Sequence, residues 1–89
     1  MENLVKLEKM DKALRMLEDL KNSQVAMIEK ASKLQMDAME FSFSEMEKNM
    51  AELFSRYNES LDMINEDLEN FQVKRDDFEQ KHGLDKLEE

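Results

Sequence analysis

Apolar side chains recur at Leu4, Leu7, Met10, Leu14, Leu17 and Leu20, and again at Val25, Ile28, Ala31, Leu34 and Ala38. Steps of three and four put such residues on one side of an α-helix. Between the two runs Lys21-Asn22-Ser23-Gln24 brings polar side chains to positions the stripe would otherwise fill, a stretch able to cap, bend or interrupt a helix. A second stripe, Met46, Met50, Leu53, Tyr57, Leu61, Ile64, Leu68, Phe71 and Phe78, keeps the same steps apart from one double step. Gly83 then supplies the residue best able to take a left-handed conformation after a helix, and Leu84 can fold back on Phe78. The pattern predicts a single helical domain over 1–89, with helix one at about 3–40, a turn at about 41–44, helix two at about 45–82 and a frayed tail at 84–89.

At the joint, Ser42 precedes Glu45 by three residues and Ser44 precedes Glu47 by three, both matching a capping box. If Ser42 caps, Phe41 and Met46 take the positions of a hydrophobic staple that fixes the entry into helix two. The alternative is one unbroken helix, a coiled-coil rod of roughly 120 Å at 1.5 Å per residue. Against the rod, Met16, Leu20, Met27, Leu34, Met39, Phe54 and Met63 widen the apolar face beyond the seam of a two-stranded coil, so each helix needs more than one neighbour. The expected fold is all-α, an antiparallel helical hairpin dimerising into a four-helix bundle, with Leu14, Leu17, Ile28, Leu53, Ile64 and Phe71 as core. Folding at 42–44 would also bring the acids of 57–73 near Lys12, Arg15 and Lys21, while setting Lys74 and Arg75 against Lys9.

Composition narrows the function. No Pro, one Gly and 39% charged residues suit long helices. A net charge of −9, from 22 acids against 13 Lys and Arg, repels phosphate backbones and anionic membranes, so neither nucleic acid nor membrane is an expected direct partner. Without Cys there is no thiolate site or disulfide, and the charged first twenty residues hold neither a signal-peptide core nor a membrane span. A cytoplasmic location fits, with export by a route lacking a cleaved signal left open.

Candidate chemistry is sparse. Glu79 and His82 have the Glu-x-x-His spacing of di-iron helices, but His82 sits at a helix end beside Gly83, where a cation simply meets the favourable end of the helix dipole. Neighbouring acids such as Glu66-Asp67 and Asp76-Asp77 point about 100° apart on a helix and imply a solvated face. No phosphate loop is present, and no nucleophile has a histidine nearby. No enzyme activity, metal or cofactor is expected. Nine methionines suit either a bundle interior or an adaptable binding face.

In layout, about ninety residues without Cys and two helices meeting at an aromatic corner, the chain resembles the Trp-x-Gly helical hairpins of type VII secretion and their partner proteins. The corner here reads Phe41-Ser42-Phe43-Ser44, without either signature residue, and Leu61 rather than an acid lies four positions after Tyr57. No function is carried over. The expected function is protein–protein interaction, as a small chaperone, adaptor, scaffold or inhibitor, with homodimerisation and with Phe41, Phe43, Met36 and Met39 contacting a protein partner. The alternative is an acidic decoy whose 57–73 stretch mimics nucleic acid and blocks a basic surface.

Overall fold

The computed structural model describes residues 2–87 as two long helices, α1 (Glu2–Glu40) and α2 (Ser44–Lys81), followed by a 3₁₀ turn at Leu84–Leu87. They fold into an antiparallel hairpin of 61 × 18 × 15 Å, which replaces the single-rod alternative. Thirty-nine residues at 1.5 Å each span roughly 58 Å, so α1 alone sets the length of the molecule. With no Pro or Gly inside it, α1 runs unbroken through Lys21-Asn22-Ser23-Gln24. Charges at the ends of α2 suit the helix dipole, with Glu45 and Glu47 in the first turn and Lys81 in the last.

The corner departs from the capping-box expectation. Ser42 ends α1 instead of starting α2, standing in the left-handed region at φ 59°. The Phe43 N–H donates to the Ala38 carbonyl at 2.8 Å and the Ser42 N–H to the Met39 carbonyl at 3.1 Å, the paired bonds of a Schellman close. Phe43 becomes the N-cap of α2, and no side chain caps that helix. Neither serine therefore makes a capping box, because the three-residue link Phe41-Ser42-Phe43 closes α1 with one left-handed residue and Ser42 occupies that place. Positive φ costs an L-residue roughly 1–2 kcal/mol, against 0.5–1 kcal/mol of extra chain entropy lost by glycine. Ser42→Gly should thus raise stability by about 0.5–1 kcal/mol, read as a higher urea midpoint at unchanged slope.

Gly83 follows α2 with a left-handed residue as well, at φ 66°, with the His82 N–H on the Phe78 carbonyl at 3.2 Å and the Gly83 N–H on the Gln80 carbonyl at 3.1 Å. After α2 the chain makes the 3₁₀ turn, packed on α2 with Leu84 buried. Burying one leucine is enough to order a single turn, at roughly 1.5–3 kcal/mol. Residues 88 and 89 lie outside the described residues.

The helices meet along a seam with a seven-residue period. In α1 the a positions are Leu7, Leu14, Lys21, Ile28 and Gln35, and the d positions are Met10, Leu17, Gln24, Ala31 and Ala38; all ten are buried or half-buried. Facing them in α2 are Met50, Leu53, Tyr57, Leu61, Ile64, Leu68, Phe71 and Phe78. Of the anticipated core residues, Leu14 and Ile64 are buried, while Leu17, Ile28, Leu53 and Phe71 are half-buried. Packing is uneven along the axis. Leu7, Met10, Leu14 and Leu84 are buried towards the open end, whereas the buried residues of α1 nearer the corner are only Ala31 and Ala38.

One ion pair crosses between the helices among the described residues. Arg75 Nε donates to Asp11 Oδ1 at 2.7 Å, and Arg75 Nη1 donates to Glu79 Oε1 at 3.0 Å and Asp76 Oδ1 at 3.2 Å. The anticipated clash of Lys74 and Arg75 with Lys9 is relieved because Asp11, two residues further along α1, takes up the guanidinium. The anticipated pairing of the 57–73 acids with Lys12, Arg15 and Lys21 is not made among the described residues. Lys12 and Arg15 fall at outward f and b positions, and Lys21 lies in the seam itself.

Candidate functional site

Beside the inner seam, α1 carries a second apolar line. Its g positions are Ala13, Leu20, Met27, Leu34 and Phe41, each seven residues after the last. Ala13 is half-buried, while Leu20, Met27, Leu34 and Phe41 are 47%, 38%, 43% and 71% exposed. Because d and g alternate in steps of three and four, Met10, Ala13, Leu17, Leu20, Gln24, Met27, Ala31, Leu34, Ala38 and Phe41 form a continuous stripe whose one polar member is Gln24. The d residues serve both lines: their inner edges meet α2 and their outer edges border the g row. A helix with a, d and g apolar has room for two neighbours, and the hairpin provides one.

Clefts mark this flank along most of its length. One lies over Ala13, Met16, Leu17 and Leu20. A second lies between Leu17 and Phe71, with Asp67, Asn70 and Lys74 at its rim. The third, nearer the corner, is lined by Met27, Ala31 and Leu34 of α1 with Lys30 beside them, and by Met50, Leu53 and Tyr57 of α2. The flank is thus apolar on both helices near the corner and more polar on α2 towards the open end.

All four residues expected to contact a partner are exposed, but they do not form one patch. Phe41 closes the g row, and Phe43 sits beside it at the start of α2. Met36 and Met39 occupy b and e positions, on the opposite side of α1. The methionines divide likewise: Met10 is buried, Met46 and Met50 are half-buried, and Met16, Met27 and Met63 are exposed. Steps of three and four mark Leu20, Met27 and Leu34 only as a widening of the apolar face; the seven-residue repeat sets them in one row with Ala13 and Phe41.

Gln24 is the unusual polar group. Its side-chain Oε1 is buried and accepts no hydrogen bond among the described residues. A buried carbonyl oxygen without a donor costs about 1–3 kcal/mol, and Gln24 stands near the middle of the d/g stripe.

The remaining chemistry is structural. His82 Nδ1 lies 3.2 Å from Asn3 Nδ2 and its ring packs 4.5 Å from Phe78, over which Lys6 Nζ sits at 5.3 Å. Together these groups tie the open end of the hairpin. Glu79 is engaged by Arg75, and among the described residues no group of three or more His, Cys, Asp or Glu could hold a metal. Asp11 and the neighbouring carboxylates hold the Arg75 guanidinium even further above its ordinary value, fixing its charge. On the outer face of α2, Glu59, Asp62, Glu66 and Glu69 form an exposed acidic row. No helix among the described residues is long and apolar enough to cross a membrane. Compared with known proteins, the chain matches no family, no curated protein and no solved structure.

Proposed function

We propose that this chain is a non-enzymatic helical interaction module, working as a small chaperone, adaptor, scaffold or inhibitor through its exposed apolar flank, and that it self-associates into a four-helix bundle. The observation that carries this reading is surface area. The hairpin exposes 6932 Å². A compact monomer of 10.6 kDa would expose about 5,500 Å². The excess, on the order of 1,400 Å², is larger than the roughly 800 Å² that each partner contributes to an ordinary stable interface. The exposed side chains of Leu20, Met27, Leu34 and Phe41 put apolar surface along one flank, which suits a helix laid into a groove.

Phe41 and Phe43 are the proposed anchors for a protein partner, with Met36 and Met39 on the other side of the corner. Phe41→Ala combined with Phe43→Ala should weaken partner capture at least tenfold while helical circular dichroism is retained, and His82→Ala should leave capture unchanged. Loss of capture on the histidine change alone would reverse this assignment.

The acidic row at Glu59, Asp62, Glu66 and Glu69 supports a second reading, a decoy occupying a basic nucleic-acid-binding surface. Salt separates the two. Partner affinity that falls steeply between about 50 and 500 mM salt fits the decoy, and salt-indifferent affinity fits the apolar flank.

A further inference from the structure

We infer that a second copy of this chain covers the d/g flank, with the two α1 helices antiparallel about a two-fold axis between residues 24 and 27, and that Gln24 sets this alignment. The inference rests on the reading of that flank as a helix-docking face and names what docks there.

Two observations, and the economy of a self-contact, point to a second copy. The stripe keeps a strict seven-residue period from Met10 to Phe41, a repeat that suits the knobs and holes of another long helix better than an irregular surface. It is roughly 46 Å long at 1.5 Å per residue. Across the 18 Å width of the hairpin this makes a face of roughly 800 Å², the size each partner contributes to a stable dimer. An isologous two-fold contact, in which one patch meets itself, needs no second surface.

The direction follows from charge. Lys9, Lys30 and Asp37 occupy c positions at the edge of the stripe. Parallel helices about a two-fold axis would turn this row towards the partner's α2 and bury its charges there, whereas antiparallel ones keep it at the outer edge. The antiparallel order sets Ser23 beside the partner's Lys30 and Met16 beside the partner's Asp37, with no like pair. The register follows from overlap. Centring the axis between residues 24 and 27 stacks Met10 on the partner's Phe41, Leu17 on the partner's Leu34 and Ala31 on the partner's Leu20, and uses all five layers of the stripe. Sliding by one heptad in either direction loses a layer.

In that register Gln24 packs one step from the axis, and the two Gln24 side chains stand roughly 4.5 Å apart along it. Gln24 is half-buried with its Oε1 turned away from solvent in the single hairpin; rotated towards the flank, each amide can pair with that of the partner's Gln24. A reciprocal amide pair in an apolar seam stabilises less than two leucines would, but it holds the helices in one alignment, because any other leaves both amides unsatisfied.

The chain has no cysteine, so single-cysteine spin labels report the arrangement directly. The experiment labels Lys9→Cys and Ser23→Cys in separate preparations and measures inter-chain distances in the full-length protein. An antiparallel dimer gives roughly 50 Å for the residue-9 pair and under about 20 Å for the residue-23 pair. Short distances for both would overturn the alignment. Leu20→Glu and, as a second variant, Met27→Lys should each weaken the dimer at least a hundredfold with helical circular dichroism unchanged; a dimer surviving both would overturn the face. Gln24→Leu should tighten the dimer about tenfold or more while its residue-9 distance splits into two populations, and a single unchanged distance would remove the glutamine's role. A wild-type chain that stays monomeric yet binds bis-anilinonaphthalene sulfonate, with binding lost in Leu20→Glu, would sink the second-copy assignment and leave the docking-face reading intact.

Discussion

Ile64→Asp is expected to unfold the hairpin. Ile64 is 8% exposed and is the one residue of α2 that reaches full burial. Its removal forfeits roughly 1.5–3 kcal/mol of burial, and an unpaired carboxylate at the same point adds several kcal/mol more unless it takes up a proton. A domain of this length holds only about 5 kcal/mol or a little above, so the sum exhausts its stability. Helical circular dichroism should fall to a small fraction of the wild-type signal at neutral pH. Ile64→Val, which removes one methylene, should cost about 0.5–1.5 kcal/mol and leave the spectrum intact. A wild-type spectrum and melting curve for Ile64→Asp would mean that Ile64 is not in the core.

Arg75→Ala has the second largest expected effect, about 2 kcal/mol, or a fall of roughly 10 °C in melting temperature for a chain of this size. The side chain is 15% exposed, runs along the seam where an apolar residue would otherwise stand, and touches three carboxylates. Truncation removes the packing of its stem and leaves Asp11, Asp76 and Glu79 facing one another without a cation. Arg75→Lys should recover less than half of the loss, because a single ammonium cannot serve Asp11 and Glu79 with the geometry of the guanidinium fork. By contrast Arg56→Ala, which breaks an exposed pair with Glu52 within one helix, should change stability by less than about 0.5 kcal/mol. The pH dependence has a definite sign. A cation whose value is raised in the folded state contributes at every pH below its unfolded value and loses that contribution only as pH climbs through the folded one. Arginine's unfolded value already lies beyond mild alkali, so the gap between wild type and Arg75→Ala should stay constant from about pH 7 to 9.

Much of the fold can be read from the residues, and the departures have physical causes. Helical spacing located both helices because a 39-residue segment without Gly or Pro has no other regular conformation that buries its stripe. Gly83 marked the end of α2 correctly, since glycine in a left-handed close is the common case. Ser42 did not mark its own role. Serine is chiefly an N-cap residue, and the two Ser-x-x-Glu matches around the corner look the same whether or not a serine side chain faces a helix end. Leu20 and Leu34 looked like members of the inner stripe because d residues belong to two lines at once; only the seven-residue period separates g from a. Leu17 and Ala31 are common to both lines, so no reading in steps of three and four could divide them. Arg75 carried no signal at all. Its long stem lets a charged residue stand in the seam, and its partner Asp11 lies 64 positions away. The corner quartet was legible as exposed apolar residues, but Met36 and Met39 could be placed opposite Phe41 only once the phase of the inner seam was known.

The central claim is that one hairpin cannot hide its own apolar surface. Sedimentation equilibrium of the unmodified chain over about 1 to 300 μM tests it most directly. The account predicts a concentration-dependent shift from 10.6 kDa to twice that mass, with helicity retained throughout. A sharp, fully helical species of 10.6 kDa at every concentration would contradict it.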